Sequence, residues 1–167
     1  VKRRLIPAAV GGLLAWWLFS SGVDHGPQIL IHLNDAGRAG SVQVDAARGL
    51  AVRLPEGGRR VAAPVTAAVQ GGRVALLNDT GDLVLTLDEL VLEPRGRWIS
   101  AAGTRYPGHL VITADGPALR VVNVVGIERY LPGVVGREVP SDWPAAALET
   151  QAVCARTYAA WSSGEGH

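Results

Sequence analysis

The chain has 167 residues, 48% of them hydrophobic and 19% charged, with a formal net charge of +1. That is enough for one domain, or one and a half, with a real core, and it is too apolar for a disordered tail. The near-neutral balance lacks the basic footprint of a nucleic-acid binder, and a lone cysteine, Cys154, excludes an intrachain disulfide or a multi-cysteine zinc site within this chain.

At the amino end, Lys2-Arg3-Arg4 precedes an uncharged run over 5–19, LIPAAVGGLLAWWLF. A basic stub followed by such a run is the pattern of an export signal, and Ser20-Ser21-Gly22 supplies small residues for a cleavage site. The run falls short of the roughly 20 apolar residues of a spanning helix. Counted to Gly22 it could barely cross, with Trp16 and Trp17 near an interface. Residues 1–22 therefore read as a signal peptide or a membrane anchor. Either one places the rest outside the cytoplasmic membrane, secreted or anchored through residues 5–19. Pro7, Gly11 and Gly12 argue against a soluble core helix here.

Residues 23–104 read as a β-rich region. The 21 glycines and ten prolines of the chain signal many turns. Strand candidates are Ile29 to Leu33, Val42 with Val44, Ala51 to Leu54, Val74 to Leu77, Leu83 to Leu87, and Leu90 to Leu92, each bounded by Gly, Asp, Asn or Pro. Glu56-Gly57-Gly58, Gly71-Gly72 and the stretch from Asn78 to Asp82 read as turns. Two more strands are expected at His109 to Thr113 and Leu119 to Val125, with Asp115-Gly116 turning between them. His25, His32 and His109 lie far apart in sequence and read as solvated or hydrogen-bonded side chains, and Asp79 and Asp82 as turn residues.

After Gly126 the period becomes helical. Ile127, Tyr130, Leu131, Val134 and Val135 fall on one face. Gly136-Arg137-Glu138-Val139-Pro140 breaks the pattern, and Pro140 drives Val139 to an extended conformation, which leaves Glu138 at a helix exit. Ser141 or Asp142 can cap a second helix, with Pro144 in its first turn. That helix is Ala-rich to about Trp161, and Leu148, Gln151, Ala152, Ala155, Tyr158 and Ala159 mark its packed face. Glu138 has two readings. Flanked by Val134, Val135, Val139 and Trp143, its carboxyl is expected to be desolvated, its pKa raised, and so suited to general-acid work. Equally, it could cap the next helix or pair with Arg137 or Arg156.

The stretch from Asn123 to Ala159, NVVGIERYLPGVVGREVPSDWPAAALETQAVCARTYA, resembles the stage II sporulation protein D family, also called the SpoIID/LytB or amidase-enhancer domain. The matching pieces run from Val121-Val122-Asn123-Val124-Val125 through Glu128-x-Tyr130-Leu131-x-Gly133-Val134-Val135 and Glu138-Val139-Pro140. They continue with Trp143-Pro144, Ala147-Leu148, Gln151-Ala152-Val153 and Ala155-Arg156-Thr157-Tyr158. Upstream, Arg105-Tyr106-Pro107-Gly108 resembles the family's Tyr-x-Gly step. On this resemblance, residues 105–167 form such a domain, truncated on its carboxyl-terminal side.

The resemblance implies a bacterial cell-wall role. Sporulation members are similar to lytic transglycosylases that cut peptide-free glycan between N-acetylmuramic acid and N-acetylglucosamine, and the family's catalytic glutamate falls on Glu138. One carboxylate suffices for that reaction, because no water is consumed; hydrolases usually need a pair. Asp142 is close enough in sequence to be the second member of such a pair, with helix capping its preferred role. Gln151, Arg156 and Tyr158 match family positions and would orient Glu138 or bind sugar hydroxyls; for Gln151 and Tyr158 the alternative is buried hydrogen bonding that holds the helices together. Trp143 could stack on a sugar, with core packing the alternative.

Ala146 and Cys154 stand where family members commonly carry Glu and Ala, and Cys154 reads as a buried thiol. The family's continuation carries a His- and Cys-rich zinc cluster in sporulation members. Within this chain no metal or other cofactor is expected, and His167 alone could not complete such a site. The expected partners are peptidoglycan strands and a cell-wall amidase, with no nucleic acid. The functional readings are an enzyme on peptidoglycan, a non-catalytic wall-binding or amidase-enhancing module, and an exported β-rich domain with no wall role. The expected fold is α+β: a body of short antiparallel strands followed by a helix–loop–helix.

Overall fold

The computed structural model of the chain describes residues 27–164. The export-signal segment over 1–22 lies outside them, as do His25 and His167. In chain order come β1 (Gln28–His32), β2 (Ser41–Asp45), β3 (Leu50–Leu54), β4 (Gly57–Val61), β5 (Val65–Gln70), β6 (Arg73–Leu77), β7 (Leu83–Leu87), β8 (Glu89–Pro94), β9 (Trp98–Ala101), β10 (Thr104–Pro107), β11 (His109–Asp115) and β12 (Ala118–Gly126). Two helices follow, α1 (Ile127–Glu138) and α2 (Ala145–Gly164). The fold is α+β, as the sequence led us to expect. The described residues divide into two compact units, one over His32–Val124 and one made of 27–31 with 125–164.

In the first unit, alternation does the sorting. Val42 and Val44 of β2 are buried while Ser41, Gln43 and Asp45 face water, the period-2 pattern of a strand with one wet face. One sheet runs β12-β11-β8-β3-β4 and the other β10-β9-β2-β5-β6-β7. The pairings between these neighbours are antiparallel. Strand β6 lies against β8 and β11, and β9 against β8, so the two sheets close over one core. Leu50, Leu90, Leu92, Leu110 and Ile112 from the first sheet, and Leu76 and Ile99 from the second, are fully buried. Each such side chain contributes about 1.5–3 kcal/mol by leaving water. The inner rows are in register: Leu92 stands opposite Leu110 on one side and Val52 on the other.

Four strands, β4, β5, β9 and β10, were not expected. β4 reads GGRRV, almost wholly exposed, and pairs with β3 alone. An edge strand of this kind has no buried face, so its sequence carries no alternating signal. β9 and β10 form a hairpin whose two-residue turn, Ala102-Gly103, has φ of 47° and 80°. Both signs are positive, as the twist-matched hairpin turn requires; Ala102 fills a place where Asn or Gly is usual, which hides the turn from sequence.

Two polar side chains are built into the interior. Asn123 of β12 donates from its amide to the carbonyls of Pro107 (2.8 Å) and His109 (3.1 Å), tying β12 to the corner at Gly108. His109 itself is buried at the head of β11, and its pKa is pushed down to about 3, mainly by burial and secondarily by the positive Arg53. Asp82 plays the expected turn role: its carboxylate accepts bonds from the Thr80 hydroxyl (2.6 Å) and the Asn78 amide (3.2 Å).

In the second unit, Ile29 and Ile31 of β1 are buried, and the Pro27 carbonyl accepts the Ile127 N–H at 3.0 Å. Among the described residues, no helix is long and apolar enough to cross a membrane.

Candidate functional site

Helix α1 begins after an extended Gly126 (φ −62°, ψ 140°), carries Glu128 in its first turn and Arg137 in its last, and buries Ile127 and Leu131. Tyr130, Val134 and Val135 are half-buried, which fills out the expected face. The helix continues through Gly136 to Glu138, two residues beyond the expected break. Glycine weakens a helix without ending it. The stop is set by Val139, extended at φ −134° and ψ 145°, whose N–H donates to the Val135 carbonyl at 3.1 Å. Pro140 imposes that conformation on the residue before it.

Glu138 is thus the last helical residue, as expected, but its surroundings are not. The carboxyl-bearing residue is exposed, Val134, Val135 and Val139 are half-buried, and Trp143 is 50% exposed. The apolar enclosure read from the flanking residues is absent because the side chain leaves the helix end on the solvent side. A carboxylate at the carboxyl end of a helix also opposes the macrodipole, so Glu138 does nothing for the stability of α1.

The link to α2 is short. The Trp143 N–H donates to the Pro140 carbonyl at 3.2 Å, closing a four-residue turn. Pro144 lies just outside the helix rather than in its first turn, and its carbonyl accepts from Ala147 (2.8 Å) and Leu148 (3.3 Å). Neither Ser141 nor Asp142 makes a side-chain capping bond among the described residues; the exposed turn holds both away from the helix start.

On α2 the less exposed stripe is Leu148, Gln151, Ala152, Ala155 and Ala159, of which Ala159 is buried. Tyr158 was expected in that stripe but is 65% exposed. One residue along a helix turns about 100°, so a neighbour of Ala159 is carried off the packed side. Cys154, expected as a buried thiol, is exposed for the same reason. Val153 and Trp161 join them outside, and the rings of Tyr158 and Trp161 sit 6.1 Å apart, tilted by 43°. Trp143 is likewise on the surface instead of in the core.

Arg156 is brought to Glu128, not to Glu138. Its Nε and Nη2 donate to the two carboxylate oxygens of Glu128 at 2.7 and 2.9 Å, a bidentate pair that fastens α2 to the first turn of α1. These bonds hold the Glu128 carboxyl below its ordinary range and raise the Arg156 guanidinium. Among the described residues no hydrogen bond or ion pair joins Glu138 to Gln151, Arg156, Tyr158 or Trp143. The partner that sequence reading missed is Glu128. The available signal was its place in the first turn of one helix while Arg156 sits beside the packed stripe of the next.

What the segment offers chemically is one exposed carboxylate at a fixed helix exit, followed by a turn that displays an indole. Among the described residues, no group of three or more His, Cys, Asp or Glu could hold a metal ion.

Residues 115–167 match the model of the SpoIID family, described as stage II sporulation protein. The chain is also similar to an uncharacterized protein of Brachyspira hyodysenteriae, with 46% identity over 57 residues. That stretch is 34% of this chain and 16% of the relative, so the chain spans far less than the length of the relative it matches. No solved structure matches the chain.

Proposed function

We propose that the chain works on the bacterial cell wall, outside the cytoplasmic membrane, as a lytic transglycosylase with Glu138 as its acid–base group. The match of residues 115–167 relates that region to sporulation and the cell wall. The observation that carries the finer reading is the placement of Glu138: a carboxyl group at a helix end, open to solvent, where it adds nothing to helix stability.

The chemistry needs only this group. A glycan strand laid over the helix exit would strip water from the carboxyl and favour its protonated form. Glu138 would give its proton to the glycosidic oxygen as the bond from C1 breaks. The resulting carboxylate would then take the proton of the same sugar's 6-hydroxyl as O6 closes on C1. The products are a free 4-hydroxyl and a 1,6-anhydro end, and Glu138 finishes protonated. Gln151, Tyr158 and Trp143 would meet sugar groups directly, while Arg156 acts through Glu128 by fixing the angle between the helices.

A second reading, a non-catalytic amidase enhancer or wall-binding module, is favoured by the commitment of Arg156 to Glu128 rather than to Glu138. One experiment separates the two. Peptide-free glycan is digested with the chain and with Glu138→Gln, and the products are weighed. The enzyme reading expects anhydro ends from the first, and a fall of at least about 100-fold in the second. Equal release by both proteins, or none by either, removes that mechanism. A gain in the activity of an added amidase with either form supports the enhancer.

A further inference from the structure

The β unit carries a cleft of 470 Å³ that the helix–loop–helix does not use, lined among others by Asp45, Arg48, Arg97, Trp98, Ser100 and Arg105. From its chemistry we infer that it is a binding site for a carboxylate-bearing polysaccharide, separate from Glu138.

The strand registers put most of these side chains on one face. Asp45 stands opposite Ser100, and Ser100 opposite Arg105, so three neighbouring strands, β2, β9 and β10, present one row. Trp98 lies two residues from Ser100 and so shares its face. The alternate residues Val44, Ile99 and Ala101 point the other way and are buried. Two loops complete the rim. The Gly49 N–H donates to the Ala46 carbonyl at 2.8 Å, closing a tight turn beside Arg48. The Arg95 N–H donates to the Gly49 carbonyl at 3.0 Å, anchoring the loop that bears Arg97 to that turn. The rim is held by backbone bonds, so little ordering is left for a ligand to impose.

Three guanidiniums and one carboxylate give the cleft a net charge of about +2 if all are ionised. No ion pair joins Arg48, Arg97 or Arg105 to a carboxylate among the described residues. Arg97 lies over the Trp98 ring, its Cζ 5.8 Å from the centroid, which holds the guanidinium plane while leaving its N–H edge to take an anion. Trp98 is 45% exposed, a flat apolar surface of the kind that packs on the C–H face of a pyranose. Asp45 spends one oxygen on the Ala46 N–H (2.7 Å) and keeps the other as an acceptor, while Ser100 can donate or accept. Arginines for carboxylates, an indole for a ring face and a carboxylate for hydroxyls together describe an acidic sugar. Guanidiniums on two loops and a strand fit charges repeated along a chain. The net charge of +1 supplies no wider basic face of the kind a nucleic-acid backbone takes.

The test is calorimetric titration of the full chain with tetragalacturonate, neutral chitotetraose and a single-stranded thymidine octamer. Tetragalacturonate is expected to bind, chitotetraose at least about tenfold more weakly. Arg97→Gln with Arg105→Gln should weaken the acidic ligand by about 30-fold or more, and Trp98→Ala by a smaller factor. Arg59→Gln with Arg60→Gln removes the same charge from the exposed strand β4 and should leave binding within about twofold. Circular dichroism checks that each variant keeps its strands. Equal binding of the neutral sugar, an equal loss in the β4 variant, or no binding of tetragalacturonate by a folded chain overturns the proposal. So does tighter binding of the octamer through the same arginines. None of these results depends on whether Glu138 cleaves glycan.

Discussion

In the β unit most of the bulky apolar side chains have left water: Leu50, Leu76, Leu90, Leu92, Ile99, Leu110 and Ile112 are wholly covered, while Leu83 and Trp98 stay exposed. In the helix–loop–helix the bulkiest side chains stay out: Trp143 of the link and Val153, Tyr158 and Trp161 of α2 are each half exposed or more. The helices are joined by a bidentate ion pair on the surface and by a stripe of mostly small residues. The contrast separates two jobs. Burial fixes the sheets, so the sheets can support exposed features without help from them. The helices keep apolar and acidic groups in solvent, a placement that stability does not require and that ligand contact can use.

The strongest way to break this comparison is to cut into the sheets. Leu92→Ala removes a fully buried side chain between Val52 and Leu110 and should cost about 2–5 kcal/mol, read as a lower denaturation midpoint in urea. A cost below 1 kcal/mol would mean that the core is not where stability resides.

The next effect is one of pH. His109 has a folded pKa of about 3 against an ordinary 6.5, so between those values the unfolded chain holds the extra proton. Its contribution is complete above pH 6.5 and is lost as pH falls toward 3, at a slope approaching about 1.4 kcal/mol per unit. His32 is lowered too, by burial first and Arg120 second, and adds a slope of the same sign. Urea midpoints at pH 7 and pH 5 should therefore fall for the wild-type chain and fall less for His109→Gln. An unchanged pH dependence in the variant would show that the imidazole is hydrated in the fold.

The smallest effect is expected on α2. Tyr158→Ser removes an exposed ring that meets the Trp161 ring, and should change stability by about 0.5 kcal/mol or less. A larger loss would mean that this face is covered in solution and that the comparison between the two regions needs redrawing.

The sequence revealed the fold class and most of the strands that bury a face, because alternation of Val and Leu with polar residues reports burial directly. It concealed β4 and β10, in which no residue is buried, β9, only four residues long, and β5, whose buried face is Val65 with the small Ala67. The position of Glu138 was legible because Pro140 dictates the conformation of Val139. Its exposure was not, because flanking apolar residues say nothing about which way a helix end points its last side chain. The Glu128–Arg156 pair spans 28 residues and depends on how two helices meet, which local pattern does not encode.

Gly37 carries a consequence for reading related chains. Its N–Cα–C segment lies so close to Leu119 that a methyl group there would collide with that residue's carbonyl oxygen, while the Gly37 carbonyl accepts the Leu119 N–H at 2.9 Å. The obstacle is main chain, which cannot swing aside as a side-chain tip can. A relative that preserves this crossing has one admissible amino acid at the equivalent position. A bulkier letter there marks a rebuilt loop, whatever the helices retain.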